Sequence, residues 1–108
     1  MCQSTVLTQK GAAIISQCMD CKLITIWHHN LLLNFTPGQF KAFKDFTINL
    51  DQADYFFHFP DGDERLVLRT PNNDICFAFT EEEWDNFRVA MEEAEYMQDV
   101  YDLLSCRN

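Results

Sequence analysis

The sequence predicts a single α+β domain, residues 1–108, built from two pseudo-repeated strand-strand-strand-helix units. We expect an antiparallel sheet, or two pseudo-symmetric three-stranded halves, covered by two helices, of which the C-terminal one is long. The first observation behind this prediction is an internal repeat, since residues 30–43 read NLLLNFTPGQFKAF and residues 74–87 read DICFAFTEEEWDNF. The second is a long apolar stripe near the C-terminus. The two repeat copies cover about residues 12–50 and about residues 55–104.

In each copy of the repeat, a short apolar run leads into a helix start. Thr36 and Thr80 stand at the N-cap positions, and Gln39 and Glu83 follow three residues later, which is the spacing of a capping box. Pro37 occupies the first helical position, where its missing N–H costs nothing. Both junctions therefore predict a strand that leads directly into a helix.

The segments before each junction have the pattern of β-hairpins. We expect strands at residues 5–8, 12–17, 22–27, 31–35, 55–59, 65–69 and 75–79. The first hairpin is predicted to turn near Lys10–Gly11, the second at Cys18–Cys21 and another at Asp61–Gly62. In the alignment of the two copies, the turn that holds the cysteines corresponds to Gly62–Arg65, which contains none.

Two helices follow the junctions. The first is predicted at residues 37–46, and the second begins at Glu81 and extends to Leu104. The stripe on the second consists of Trp84, Phe87, Met91, Ala94, Met97, Tyr101 and Leu104. A helix of this length measures roughly 36 Å, which exceeds what a small sheet needs for cover. Its C-terminal part is therefore a candidate contact for a second subunit in a homodimer, with a role in the core alone as the alternative.

The charge balance excludes some classes of partner. Lys and Arg number 8 and Asp and Glu number 17, which gives a net charge of −9. Because phosphate neutralisation supplies most nucleic-acid affinity, we expect no nucleic-acid binding, and no binding to anionic membranes either. Fifteen of the acids lie in residues 51–108. They predict either a solvated surface or a docking face for a basic partner on the acidic C-terminal helix.

The compartment is expected to be the cytoplasm. No apolar run approaches the ~20 residues that span a bilayer. The first residues, Met1–Ser4, also lack the layout of a signal peptide. Since cytosolic thiols stay reduced, the five cysteines indicate metal ligation or burial rather than disulfides.

One group of cysteines is a candidate structural zinc site. Cys18 and Cys21 form a CxxC turn, and a hairpin that turns near Lys10–Gly11 places Cys2 opposite Cys18. The predicted metal ligands are therefore Cys2, Cys18 and Cys21, with the fourth ligand unassigned. Cys76 is expected to be a small buried apolar residue within a strand. A redox pair at Cys18 and Cys21 is an alternative, although Asp20 beside them would disfavour a thiolate.

The histidines are interpreted structurally. His28 and His29 are predicted to lie in a turn, and His58 on a strand. The sequence contains no Gly-rich phosphate loop, no G-x-S-x-G and no H-E-x-x-H motif. We therefore predict that the protein is not an enzyme and has no catalytic or cofactor-binding residues apart from the zinc ligands.

The chain resembles a family of small uncharacterised bacterial proteins known as a domain of unknown function. The resemblance is carried by Met1–Cys2, by Cys18–Cys21, and by Leu31–Thr36 leading into Pro37–Phe43. It extends over nearly the whole chain and implies no activity. It supports the grouping of Cys2 with the CxxC turn.

Three functions follow from these observations as hypotheses. The leading one is a small acidic interaction or adaptor module whose cysteine cluster, when it binds zinc, is structural. The second is a thiol redox protein or sensor that uses Cys18 and Cys21. The third is an acidic mimic of nucleic acid that occupies a basic DNA-binding protein, which requires the acids to line one face.

Overall fold

A computed structural model describes residues 4–105 of the chain, and it confirms the α+β fold. The strands are β1 (Ser4–Lys10), β2 (Ala13–Cys18), β3 (Ile24–His28), β4 (Leu31–Phe35), β5 (Phe56–His58), β6 (Glu64–Arg69) and β7 (Cys76–Phe79). The helices are α1 (Pro37–Ile48) and α2 (Glu81–Ser105). A short 3₁₀ turn at Gln52–Tyr55, which we did not predict, leads from α1 towards β5.

The strands form two antiparallel sheets. The first has the order β1-β2-β3-β4 and the second the order β5-β6-β7. In the first sheet Ile15 pairs with Ile26, and both side chains are fully buried. The neighbouring pair, Ile14 and Trp27, lies on the opposite face, where Trp27 is exposed. Each sheet therefore buries one face, as the period-two pattern of its strands requires.

Both predicted capping boxes are present. The Thr36 hydroxyl accepts the Gln39 N–H at 3.2 Å, and the Gln39 side chain accepts the Thr36 N–H at 3.0 Å. Thr80 and Glu83 repeat the arrangement at 3.2 and 2.9 Å. The two junctions are therefore built by the same local chemistry, which satisfies N–H groups that a helix start leaves unpaired.

One continuous core connects both sheets and both helices. It contains Ile15 and Ile26 from the first sheet, Leu66 and Phe79 from the second, and Phe87 from α2, all with no exposed side-chain surface. The rings of the equivalent residues Phe43 and Phe87 meet at a centroid distance of 6.4 Å. The two copies of the repeat thus meet at corresponding positions of α1 and α2.

Helix α2 extends beyond this core. Its last fully buried residue is Ala94, whereas the helix continues to Ser105. From Glu95 to Leu104 the side chains are half-buried or exposed. At about 1.5 Å per residue the 25 residues of α2 span roughly 38 Å, in a molecule that measures 54 × 25 × 22 Å.

Candidate functional site

The CxxC segment forms a tight turn between β2 and β3, as predicted. Cys18 is buried at the end of β2, and Cys21 is exposed in the turn. The Cys21 N–H points at the Cys18 Sγ atom at 3.4 Å, and the Lys22 N–H donates to the Cys18 carbonyl at 2.9 Å. Lys22 closes the turn with a left-handed backbone, φ 68°. The turn therefore holds the two thiols on one short loop, with a backbone donor directed at one of them.

The predicted register between β1 and β2 is wrong. Cys18 lies opposite Ser4, because the first hairpin turns at Gly11–Ala12 and pairs Lys10 with Ala13. Gly11 supplies the positive φ, 55°, that such a two-residue turn needs. An irregularity between Val6 and Thr8 then shifts the pairing by one residue.

Of the remaining cysteines, only Cys76 lies among the described residues. Cys2 lies outside the described residues, so its membership of the zinc site stays a prediction. Cys76 opens β7 and is exposed, which contradicts the buried position expected for it. Within residues 4–104, Cys18 and Cys21 belong to no group of three metal-ligating side chains.

A cleft of about 590 Å³ adjoins the CxxC turn. The turn contributes Gln17 and Lys22 to its walls, and α1 contributes Lys41. The other wall is α2, from which Glu95, Asp99 and Asp102 contribute carboxylates. Charges of both signs therefore line the cleft, with three carboxylates and two lysines.

A second cluster was missed by the sequence analysis. It consists of His28, His29 and Glu83, whose potential ligand atoms all lie within 4.8 Å of one another. The turn between β3 and β4 supplies the two histidines, and the third residue of α2 supplies the carboxylate. The His29 Nε2 atom lies 2.7 Å from the Glu83 Oε2 atom. The third histidine, His58, lies on β5 and is exposed.

The two histidines of this cluster differ in environment. His28 is only 6% exposed, and its ring packs edge-on against Phe79 at a centroid distance of 4.9 Å. Burial lowers the pKa of His28, and the neighbouring His29 lowers it further. The pKa of Glu83 is also lowered. Burial acts in the opposite direction there, but the Thr80 N–H and the His29 side chain outweigh it. His28 is thus held neutral while Glu83 is held ionised.

The alignment of the two repeats contained the signal that would have revealed this cluster. Glu83 corresponds to Gln39, and both complete a capping box, so capping does not require a carboxylate there. His28 and His29 align with Asn72 and Asn73 in sequence. However, two residues join β3 to β4 whereas six join β6 to β7, so the histidine turn has no structural counterpart in the second copy. Sequence reasoning treated His28 and His29 as ordinary turn residues because it compared the copies only for their similarities.

The outer face of α2 carries a third feature. Asp85, Glu92 and Asp99 recur every seven residues, and Val89, Tyr96 and Leu103 do the same, each four residues after an acid. All six are exposed, and the apolar ones have exposed fractions of 39%, 68% and 71%. We call these six residues the outer seam. Spacings of four and three residues place them along one line on the helix, directed away from the core.

Comparison with known proteins gives a family without an assigned role. The family model described as "Family of unknown function (DUF6686)" matches residues 1–60, which include the CxxC turn, β1–β4 and α1. No curated protein and no solved structure matches the chain. In residues 4–105, neither helix has the length and apolar character that crossing a bilayer requires.

Proposed function

Since the chain belongs to this family of unknown function, its own geometry must indicate its role, and we propose that it is a non-enzymatic adaptor that binds a basic amphipathic helix. The observation that carries the proposal is the outer seam of α2. The helix extends past the core, and its exposed side presents acids and apolar residues in alternation. We further propose that the adaptor acts in the cytoplasm.

The spacing of the outer seam suits a helical partner. Alternating steps of four and three residues are the pattern by which one helix packs along another. Val89, Tyr96 and Leu103 provide apolar anchors at every second turn, and a large apolar side chain left in water gains about 1.5–3 kcal/mol when it is buried. Such anchors on an exposed helix face are typical of helix-in-groove or helix-on-helix recognition.

The charge of the outer seam selects the partner. Asp85, Glu92 and Asp99 alternate with the anchors. A second copy of this chain would bring acid against acid, and the net charge of −9 on each copy would add to the repulsion. Lys or Arg at the matching positions of another helix would neutralise the three acids. The favoured occupant is therefore a basic helix from a different protein, ahead of a homodimer.

The proposal is tested by photocrosslinking from the centre of the outer seam. A photoreactive phenylalanine analogue replaces Tyr96 in the full chain, and crosslinked peptides are identified by mass spectrometry. We expect one protein whose crosslinked segment is helical and rich in Lys and Arg. Replacing Asp85, Glu92 and Asp99 by the corresponding amides should abolish the crosslink, and raising the ionic strength to about 1 M should weaken it.

Two matched variants serve as controls for that experiment. Asp54→Asn with Asp74→Asn removes acids that are also exposed but lie outside α2. Leu32→Ser removes an apolar side chain that is 56% exposed on the first sheet. Both should leave the crosslink intact. A crosslink to a second copy of this chain, or one that survives loss of the three seam acids, would overturn the proposal.

In this proposal the CxxC turn is structural. We propose that Cys18 and Cys21 hold zinc together with Cys2 and one further ligand. The Cys21 N–H that approaches the Cys18 Sγ atom supports this, because a donor directed at sulfur favours the thiolate that a metal needs. Zinc bound to purified protein should fall by about one ion per chain in Cys21→Ser, whereas Cys76→Ser should leave the zinc content unchanged.

A further inference from the structure

We propose that His28, His29 and Glu83 form a binding site for a divalent transition metal ion of the zinc class. The site connects the β3–β4 turn to the first turn of α2. This site is separate from the CxxC turn. The turn precedes β3, whereas His28 is the last residue of β3, so roughly 13 Å of strand lies between the turn and His28. A metal here would stabilise the contact between the two halves of the repeat.

The distances allow coordination with small movements. Zinc bonds to imidazole nitrogen and carboxylate oxygen measure about 2.0–2.2 Å, so tetrahedral ligand atoms lie about 3.3 Å apart. The His29 and Glu83 atoms are 2.7 Å apart, and all atoms of the cluster are within 4.8 Å of one another. Side-chain rotations can move the His29 and Glu83 atoms slightly apart and bring the most distant pair of ligand atoms closer together. Three protein ligands leave one position for water.

The chemistry of the donor set favours zinc over magnesium or calcium. Two imidazoles and one carboxylate suit borderline transition metals, whereas magnesium and calcium take oxygen ligands. The other oxygen of Glu83 accepts the Thr80 N–H at 2.9 Å, which fixes the carboxylate as outer-shell partners do in metal sites. Glu81 and Glu82, exposed in the same helix turn, offset the positive helix dipole near a bound cation.

His28 is the residue that a simple ion pair does not explain. His29 and Glu83 already form a hydrogen-bonded pair without it. The His28 ring packs edge-on against Phe77, Phe79 and Phe87 and is 6% exposed, so it lies on the buried side of the cluster. A metal ion would therefore join this buried imidazole to the exposed His29–Glu83 pair. The apolar rings also exclude water from one side of the ion.

The experiment is a titration with Co²⁺ and then Zn²⁺. It uses metal-free protein in which Cys18 and Cys21 are both replaced by serine, so that the CxxC turn contributes no metal site. We expect one equivalent of Co²⁺ to produce visible absorption without the near-ultraviolet band that thiolate ligation produces, and Zn²⁺ to displace it. Glu83→Gln and His29→Asn should each lower the affinity at least about tenfold. Glu83→Gln installs the capping residue of the other repeat copy, and asparagine tolerates the left-handed backbone of position 29, φ 54°, so the fold should persist in both variants.

His58→Gln is the matched control. His58 lies 3.8 Å from Glu64, which makes it a histidine–glutamate pair without a third ligand. This variant should bind Co²⁺ like the protein that carries only the two serine substitutions. In case a variant unfolds, imidazole resonances of the unmodified protein provide a second readout. Zn²⁺ should shift those of His28 and His29 and leave those of His58 in place.

Three results would overturn the proposal. These are absence of binding at millimolar metal, a thiolate band as the only signal at one equivalent, or unchanged affinity in both Glu83→Gln and His29→Asn. The adaptor proposal is independent of all three, because the metal cluster includes none of the six residues of the outer seam.

Discussion

The two copies of the repeat begin in the same way and end differently. Both pass from a strand through a threonine-capped box into a helix. Helix α1 then stops at Ile48, where the Asn49 N–H and side chain both donate to the Asp45 carbonyl. At the corresponding position α2 has Glu93 and continues to Ser105. Helix α2 is thus the longer of the two equivalent elements, and its additional part carries half of the outer seam, namely Tyr96, Asp99 and Leu103.

The differences between the copies also locate the candidate chemistry. Cys18 and Cys21 correspond to Gly62 and Arg65 in the sequence alignment, and the two-residue turn that contains His29 is replaced in the second copy by a connection of six residues, 70–75. Positions that are alike in both copies build turns, caps and core. Positions that differ hold thiols, imidazoles and carboxylates, which the local structure does not require. The comparison therefore separates residues that specify the fold from residues available for function.

The largest expected effect comes from truncating the core where the copies meet. Phe87 contacts Phe77, Phe79 and Phe43 and is fully buried, so Phe87→Ala should destabilise the protein by about 4 kcal/mol. Its equivalent Phe43 is 6% exposed, and Phe43→Ala should cost less, about 3 kcal/mol. Urea denaturation followed by circular dichroism measures both. If Phe43→Ala lowers the free energy of unfolding more than Phe87→Ala does, α1 contributes more to the core than α2.

The next effect tests whether the two caps are energetically equivalent. Thr36→Ala and Thr80→Ala each remove a hydroxyl that accepts an N–H at 3.2 Å, and each should cost about 1 kcal/mol. Serine at either position should restore most of the stability, because it keeps the accepting oxygen. If one alanine variant loses stability and the other does not, the repeat is similar in geometry only.

Much of this fold was predictable from particular residues. Thr36 and Thr80 with their partners three residues later fixed both helix starts, because capping is local chemistry. The two-sheet arrangement and the register at Cys18 were less accessible. The register depends on which residue of Lys10–Gly11–Ala12 opens the turn and on an irregularity near Leu7, and neither leaves a periodic trace in the sequence.

The candidate site was only partly predictable for a related reason. The CxxC turn is contiguous, so its placement between two strands followed from the sequence. The cluster of His28, His29 and Glu83 joins residues more than fifty positions apart, and only the packing of α2 against the β3–β4 turn brings them together. The end of the core at Ala94 is likewise a tertiary property, which the apolar stripe alone did not show.

Alanine substitutions at Gly38 and Gly62 should have smaller effects on stability, and these two effects should be opposite in sign. A Cβ atom at Gly38 meets nothing within 4 Å, and the corresponding residue of α2 is Glu82. Gly38→Ala should therefore stabilise α1 by about 0.5–1 kcal/mol, through lower entropy of the unfolded chain. Gly62 has equal space but a φ of 90°, so Gly62→Ala should destabilise by about 1 kcal/mol. Thermal melts compare the pair, and stabilisation by both would contradict the turn geometry.

The smallest expected effect concerns the residue at which the two helices diverge. Glu93 accepts the Thr8 hydroxyl at 2.8 Å and lies 3.2 Å from the Lys10 amine, which connects α2 to β1. The Thr8 hydrogen bond, and then Lys10, lower the pKa of Glu93. A carboxyl group whose pKa is lower in the folded than in the unfolded protein stabilises the fold at pH values above the unfolded-state pKa. This stabilisation is lost as the pH falls through about 4.

Glu93→Gln should therefore lose less stability than the original protein between about pH 6 and pH 3. Glu92 is the exposed neighbour of Glu93, and Glu92→Gln should lose as much stability on acidification as the original protein. If the free energy of unfolding falls equally with pH in all three proteins, the extension of α2 is not anchored at Glu93.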